Sequence, residues 1–375
     1  MNLFNVYPLF NITPSHAKMC YVYDNEGNKY LDLYGGHAVI SVGHSHPTYI
    51  KNMNSQLNKI SFYSNYIIND LQNKVANEII QQSGCDNYKI FFSNSGAEAN
   101  ENALQIASFH TNKSKIIAFK NSFHGRSNAS LSVTDNEKIK SLLNKQIDVK
   151  FIDFNNKIEF LDEISKGDVC AVIFEAIQGV GGLDQPDTEF LKYISKQCKI
   201  HNTCLIADEV QSGFGRSGDF FAFQKHNISP DIICIAKGMG NGFPVGGVLI
   251  KNHIKSHLGM LGTTFGGNHL ACSAVLSVLQ IIKEEKLVNN SKIIEKYFRK
   301  KISSIKSVKK IKGRGLMLGL EFDFEAADLR KKLIFKHKIF TGGSANKNLL
   351  RILPPLNIEK KDIDILYNAL KIELS

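Results

Sequence analysis

Between residues 89 and 250 the sequence alternates short, uninterrupted apolar runs with longer amphipathic stretches, and few architectures accept that pattern. The runs are Lys89–Phe92, Lys115–Phe119, Val169–Phe174, Thr203–Ala207, Asp231–Ala236 and Val245–Ile250. Their lack of polar alternation predicts strands buried on both faces. Asn94–His110 and Thr188–His201 carry helical spacing, and Leu71, Val75 and Ile79 place another helix ahead of the first strand. Strands and helices in this order predict an α/β fold with a mostly parallel sheet covered on both sides. After about residue 268 the texture changes. Helical patterns at Asn268–Glu285 and Ser291–Ile305 lead to a strand at Leu316–Phe322 and a helix at Asp328–Lys336. A strand at Leu349–Leu353 and a helix at Asp362–Leu374 complete a compact α+β unit, with a boundary expected near residue 265.

The 375 residues suffice for a large domain and a smaller one without covalent staples. The seven cysteines are scattered and form no CxxC pair, so neither a disulfide framework nor a cysteine zinc site is implied. They read as small buried hydrophobes of a reducing compartment. No apolar run is long enough to span a membrane. Met1–Asn11 has no basic residue, so export is not expected and the cytoplasm is. The net charge of +11 raises the question of nucleic acid. The lysines are spread evenly, however, and the densest basic run, Arg299–Arg314, is interleaved with Ile302, Ile305, Val308 and Ile311. It reads as an amphipathic element with a solvated basic face followed by a strand, and no nucleic-acid partner is expected. A basic field does attract dianionic small molecules.

Ligands of open α/β sheets bind beyond the carboxyl ends of the strands, and here the polar, glycine-rich segments fall at such ends. The first strand runs into Ser93-Asn94-Ser95-Gly96-Ala97-Glu98-Ala99-Asn100, where Ser95 and Glu98 have capping-box spacing. Gly96 and Ala97 lack bulk, so the segment is either a phosphate site at a helix N-terminus or simply a capped helix. Phe123-His124-Gly125-Arg126 follows the next strand; the ring and guanidinium could stack on a planar ligand and grip a carboxylate, or serve only structure. Another strand delivers Asp208-Glu209-Val210-Gln211. Asp208 suits a protonated heterocyclic nitrogen, although Glu209 could be the acid instead, or both could be solvated. Lys237 ends the strand after that, where desolvation disfavours the ammonium and leaves a better nucleophile. Gly238, Gly240 and Gly242 do not complete a dinucleotide fingerprint, because Phe243 and Pro244 follow. Gly262-Thr263-Thr264-Phe265-Gly266-Gly267 offers hydroxyl and N–H donors for phosphate. Arg351 is a cation within an apolar strand and needs a partner.

Taken in order, Asn94-Ser95-Gly96-Ala97-Glu98-Ala99-Asn100, Phe123-His124-Gly125-Arg126, Asp208-Glu209-Val210-Gln211, Ala236-Lys237-Gly238 and Thr263-Thr264-Phe265-Gly266-Gly267-Asn268 resemble the class III aminotransferases, in particular the branch acting on acylated ornithine in arginine biosynthesis. The resemblance extends from Tyr30-Leu31-Asp32-Leu33 and Gly43-His44-Ser45-His46-Pro47 to Arg351. It implies the fold type I of pyridoxal-phosphate transferases: a large domain with a seven-stranded, mostly parallel sheet over 46–265, a small C-terminal domain over 266–375, and an N-terminal segment, 1–45, packing with the small domain. It implies pyridoxal 5'-phosphate as cofactor, with Lys237 as Schiff-base lysine and proton carrier. Asp208 is then the partner of the ring nitrogen, Gln211 of the phenolic oxygen, Phe123 the ring's stacking face, and Gly96 and Ala97 the phosphate holders. Thr264 reaches that phosphate from the neighbouring subunit, so a homodimer with shared sites is implied. Arg126, helped near Thr263, holds the carboxylate of N-acylornithine; with 2-oxoglutarate or glutamate, Arg351 takes the α-carboxylate and Arg126 the distal one.

The chain departs from the family pattern at Glu175-Ala176-Ile177-Gln178-Gly179-Val180-Gly181-Gly182, where relatives place a glutamate at position 180. That glutamate screens the glutamate-binding arginine; with Val180 a more anionic donor such as N-succinylornithine meets less repulsion. Ornithine, 4-aminobutyrate and diamine aminotransferases share the same motifs and form the alternative. His44 and His46 read as part of a chain turn, His124 as a positioning residue, and no metal is expected.

Overall fold

The computed structural model describes residue 2 and residues 4–374. Its strands, in chain order, are β1 (Pro14–Lys18), β2 (Tyr21–Asp24), β3 (Lys29–Asp32), β4 (Tyr88–Ser93), β5 (Lys115–Phe119), β6 (Val149–Ile152), β7 (Val169–Phe174), β8 (Cys204–Asp208), β9 (Ile232–Ile235), β10 (Gly246–Lys251), β11 (Lys310–Arg314), β12 (Met317–Glu321), β13 (Ile339–Phe340) and β14 (Leu349–Ile352). Among the described residues they form three sheets, of which the central one has seven strands in the order β4-β10-β9-β8-β7-β5-β6. β5, β6, β7, β8 and β9 pair in parallel, whereas β10 runs antiparallel to both β4 and β9. The sheet is thus mostly parallel, as the apolar runs predicted.

Continuous apolar strands work here because both faces of the sheet are covered. In β8, Leu205 and Ala207 pack into one buried cluster while Cys204 and Ile206 pack into the other. Val172 and Phe174 of β7 are divided from Ala171 and Ile173 in the same way. The helix Gly96–Thr111 lies on the second side, presenting Ala99, Ala103 and Ala107 to the strands. The helix Thr188–Ile200 closes the first side with Phe190, Leu191 and Ile194. Each of the larger side chains among them, Phe190, Leu191 and Ile194 for example, contributes on the order of 1.5–3 kcal/mol when taken wholly out of water.

The remaining sheets join distant parts of the chain. β1, β2 and β3 form a sheet that ends on β13, so the N-terminal residues pair with a strand three hundred positions on, through Leu31 beside Ile339. β11, β12 and β14 form the third, antiparallel sheet, which carries Arg351 opposite Gly319. The basic run Arg299–Arg314, whose end forms β11, is not wholly solvated. Lys312 and Arg314 are buried, and they pair with Asp184 and Asp219 at 2.6 and 2.7 Å. All seven cysteines are buried free thiols. Among the described residues no helix is long and apolar enough to cross a membrane.

Candidate active site

The carboxyl ends of β4, β5, β8 and β9 converge on one cavity of about 220 Å³, lined by Gly96, Ala97, Phe123, Arg126, Asp208, Gln211 and Lys237 together with His124, Glu175, Gly179 and Val180. A crossover sheet makes this unavoidable: each loop leaves its strand on the same edge, and the loops bring residues over a hundred positions apart into contact.

Asp208 and Glu209, at the end of β8, point in opposite directions. Asp208 faces the cavity, and both of its oxygens are engaged. Oδ2 accepts from Asn100 Nδ2 at 2.8 Å and pairs with His124 Nδ1 at 2.7 Å; Oδ1 accepts from the Val210 N–H at 3.0 Å. Glu209 turns into the protein, where it accepts from the backbone N–H groups of Ala222 and Phe223 and from the Ser212 hydroxyl. Burial pushes its pKa up to about 7. Both carboxyls are buried, so neither is solvated.

Lys237 follows β9 with a left-handed backbone, φ 48°, a conformation that costs a residue with a Cβ and persists only where the surroundings hold it. The holding groups are in the loop before the first long helix. Ser41 Oγ donates to the Gly238 carbonyl, and Asn241 Oδ1 accepts from the N–H groups of Ser41 and Val42. The lysine is thereby aimed into the cavity, and its Nζ has no hydrogen-bond or ion-pair partner among the described residues. Burial lowers its pKa, against the opposing fields of Asp208 and Glu175. The free amine is the nucleophilic form.

At the end of β4 the helix Gly96–Thr111 is capped by Ser95, whose Oγ accepts from the Glu98 N–H at 3.2 Å. The Glu98 carboxylate reaches back to the Asn94 N–H at 2.8 Å, one residue earlier than a capping box requires. The N–H groups of Gly96 and Ala97 have no acceptor among the described residues, which leaves two donors at a positive helix end. Gly96 is small for a packing reason rather than to admit a ligand: a Cβ there would lie 2.4 Å from Val210 Cγ1. On the cavity's other side, Glu175 holds two loops at once. Its oxygens accept from the N–H of Phe123 at 3.0 Å and of Gly179 at 2.8 Å, and burial, aided by Asp208, raises its pKa to about 7. Gln211 Nε2 donates to the His37 carbonyl at 3.1 Å, while its Oε1 is buried without a protein partner.

The four remaining residues separate. Arg126 is exposed at the cavity edge, its guanidinium 5.9 Å from the Phe123 ring and without a carboxylate partner among the described residues. Arg351 is buried, and its partners are carbonyls and a phenol: Nε donates to Gly343 O at 2.5 Å, Nη1 to Gly179 O at 2.7 Å and Nη2 to Tyr34 Oη at 3.2 Å. Thr263 and Thr264 are not in this cavity. They line a separate surface hollow of about 1090 Å³, and Thr263 Oγ1 accepts from the Gly266 N–H. His44 and His46, adjacent in the sequence turn, go to different carboxylates, Asp32 and Glu285, each at 2.8 Å.

Pyridoxal phosphate fits these residues on observations of the cavity itself: an amine without a partner, a fixed carboxylate, an orphan amide oxygen beside it and two unused N–H donors at a helix end. Asn100, Glu175, Tyr34 and His37 belong to the site as well and are not singled out by sequence motifs. Asn100 ends the motif that begins at Asn94 and Glu175 opens the run in which Val180 departs from the family pattern, but neither residue's own role is legible there.

The chain matches the family model described as aminotransferase class-III over residues 5–374. It is 39% identical to the acetylornithine aminotransferase of Methanocaldococcus jannaschii over 93% of this chain and 90% of that one. It is 38% identical to that of Bacillus subtilis, over 99% and 97%. In three dimensions it resembles the ornithine aminotransferase of Toxoplasma gondii, with a TM-score of 0.91 at 26% identity over 99% of this chain and 93% of that one. A further structure of that enzyme has pyridoxal phosphate at its active site in partial occupancy. With its lysine, carboxylate and open helix end gathered at the carboxyl edge of the sheet, the chain belongs to the class III aminotransferases.

Proposed function

We propose that this protein transfers the δ-amino group of an N-acylornithine, acetyl or succinyl, reversibly to 2-oxoglutarate, giving N-acylglutamate 5-semialdehyde and glutamate, with pyridoxal 5'-phosphate as cofactor. The place of this reaction is arginine biosynthesis, in the cytoplasm. The observation that carries the reading is the cavity that joins an unpartnered Lys237 to the Asp208–His124 pair, with one guanidinium at its edge and a second, Arg351, hydrogen-bonded to its wall. Relatives named for this activity, similar over nearly the whole chain, support it.

When bound, pyridoxal phosphate supplies an aldehyde carbon that receives the amino group and a ring that withdraws electrons from the bond being broken. The protein's residues do the rest. Lys237 Nζ, whose ammonium form is disfavoured by burial, takes the proton from the substrate carbon and returns it across the cavity. Asp208 would pair with the ring nitrogen and favour its protonated state, and His124 and Asn100 keep that carboxylate from turning. Gln211 would serve the phenolic oxygen, Phe123 would stack on the ring, and Gly96 and Ala97 would hold the phosphate by their N–H groups. Arg126 binds the donor's carboxylate, with help near Thr263 of a second copy, and for the dicarboxylate Arg351 provides the second grip.

Thr264 completes the phosphate site from a second copy, which makes the active unit a homodimer. That Thr263 and Thr264 line a separate hollow and not this protomer's own cavity supports that, as does the apolar surface beside them, where Tyr66 is 99% exposed.

The decisive experiment reduces the holoprotein with borohydride, maps the pyridoxyl adduct, and measures glutamate formation from 2-oxoglutarate with N-acetylornithine, N-succinylornithine and ornithine. An adduct on Lys237 with turnover of an acylated donor is expected. Turnover of free ornithine alone would replace the reading by another ω-aminotransferase of the same family.

A further inference from the structure

Arg351 is 4% exposed, and no carboxylate pairs with it among the described residues. A buried guanidinium normally has an anion, and here the neutral groups around it must meet its hydrogen-bonding demand. Two of its donors are spent on carbonyls, Gly343 and Gly179, which fix the plane of the group. Nη2 is different: its acceptor is the Tyr34 hydroxyl, whose ring also lies 5.7 Å from the guanidinium carbon.

Tyr34 is itself held. Its oxygen lies 2.6 Å from His37 Nδ1. The oxygen accepts from Arg351, and its hydrogen is then free to be donated to Nδ1 when that is the unprotonated nitrogen of a neutral imidazole. Burial, with Arg351, Lys237 and Arg330 nearby, lowers the His37 pKa and favours that form. The chain N–H→O–H→N polarises the hydroxyl and improves it as an acceptor. The geometry is built into an unusual backbone: Gly35, Gly36, His37 and Ala38 all have left-handed φ, from 53° to 69°. Asp32 Oδ1 pins the turn through the N–H groups of Tyr34 and Gly35, and Gln211 Nε2 holds the His37 carbonyl. Left-handed φ at His37 and Ala38 costs energy, so the surroundings are selected to keep these side chains where they are.

We infer that the Tyr34 hydroxyl, oriented by His37, is a neutral placeholder on Arg351: it satisfies Nη2 while a substrate with a single carboxylate occupies the cavity, and a dicarboxylate displaces it. The inference rests on the proposed function only in taking Arg351 as the second carboxylate anchor. A phenol suits the task because a carboxylate outcompetes a neutral acceptor at a guanidinium, and the exchange needs no charged group to leave the site. Tyr34 and His37 are thus specificity-determining positions for the dicarboxylate half of the reaction.

The test uses holoenzyme and two readouts: the dissociation constant of glutarate, an unreactive dicarboxylate, by calorimetry, and the concentration dependence of the half-reaction with glutamate alone, followed by cofactor absorbance. Tyr34→Phe keeps the ring and removes the oxygen. It is expected to bind glutarate about three- to tenfold more tightly, the effect of one hydrogen bond no longer surrendered on binding. His37→Gly tolerates the left-handed φ and removes the imidazole; a smaller shift in the same direction is expected, and it carries the test if Tyr34→Phe does not fold. Affinity that stays unchanged or falls in these variants overturns the inference, since a hydroxyl that binds substrate directly weakens binding when removed. Wild-type enzyme that binds no glutarate and does not react with glutamate refutes the anchor role of Arg351 and the inference with it. Wild-type enzyme that reacts with glutamate but with no acylornithine refutes only the proposed donor.

Discussion

His124 Nδ1 and Asp208 Oδ2 lie 2.7 Å apart, with the His124 side chain fully buried and its other ring nitrogen unpartnered among the described residues. Facing a carboxylate, Nδ1 carries the hydrogen. The pair orients the Asp208 carboxylate and leaves it able to serve one more cation in the cavity. Hydrogen bonds to a charged group are worth ~1.5–3 kcal/mol each. His124→Phe is therefore expected to weaken cofactor affinity about ten- to hundredfold, measured by dialysis and absorbance, with the fold intact by circular dichroism. Unchanged affinity would refute the orienting role.

Glu175 joins the Phe123 loop to the Gly179 loop, and Gly179 in turn accepts from Arg351. Glu175→Gln keeps one acceptor oxygen and sets an amide N–H against the other donor, so one of the two loops must shift. The expected result is a kcat/KM for the glutamate half-reaction lowered about tenfold or more by one lost charge-assisted hydrogen bond. A lower pH does not rescue it, because the variant has no proton to gain. A variant indistinguishable from wild type would show that the joint is unnecessary.

The packing of Gly96 against Val210 makes a prediction with its own internal control. Gly96→Ala places a methyl 2.4 Å from Val210 Cγ1, and overpacking of this kind costs ~1–3 kcal/mol. Because the contact lies at the first turn of the helix that offers its N–H groups, a lower thermal midpoint and weaker phosphate-dependent cofactor binding should appear together. Val210→Ala clears the space, so Gly96→Ala/Val210→Ala should recover most of both losses. Strict additivity of the two substitutions would exclude the contact as the cause.

Glu209 should be visible in the pH dependence of stability. Its pKa is raised by burial to about 7, from an ordinary 4.5. The folded state therefore keeps a proton that the unfolded chain has already released. Stability from this group is complete below about 4.5 and is lost as pH rises through about 7, the opposite of an ion-paired carboxylate. Glu209→Gln, which cannot ionise, is expected to lower the thermal midpoint more at pH 5 than at pH 8. An equal loss at both values would mean that Glu209 ionises in the folded protein much as it does in water.

The parts of this molecule that could be read before any coordinates were those whose signal is local. Val169–Phe174 is apolar at every position, and the structure buries every one of those residues. The motifs at 94–100, 123–126, 208–211 and 237 are legible because each ends a strand, and strand ends share an edge. β6 escaped the residue pattern, since Val149-Lys150-Phe151-Ile152 interrupts its apolar run with a lysine at the sheet's edge. The antiparallel direction of β10 is also invisible, because an apolar run carries no direction. Tyr34, His37 and Glu175 act through partners far away in sequence. Their chemistry becomes apparent only when Arg351 and Gly179 are brought beside them.

Val180 lines the same cavity as Arg126, and its carbonyl accepts from the Ala345 N–H at 2.9 Å, so the residue at this position is held against the site. As an apolar side chain it adds no charge to a pocket whose substrates are anions. Val180→Glu would place a carboxylate there. At a separation of ~6 Å and an effective dielectric of ~20, the repulsion of a second carboxylate is about 3 kcal/mol before screening. Solvent and nearby guanidinium groups reduce it, so a discrimination of about tenfold is expected. N-succinylornithine carries one carboxylate more than N-acetylornithine, and the added charge should therefore penalise the succinyl donor more. The measurement is kcat/KM for both donors in wild type and Val180→Glu. The ratio of succinyl to acetyl should fall about tenfold, with activity on N-acetylornithine lowered less. A ratio that does not change would show that the acyl group lies beyond the reach of position 180.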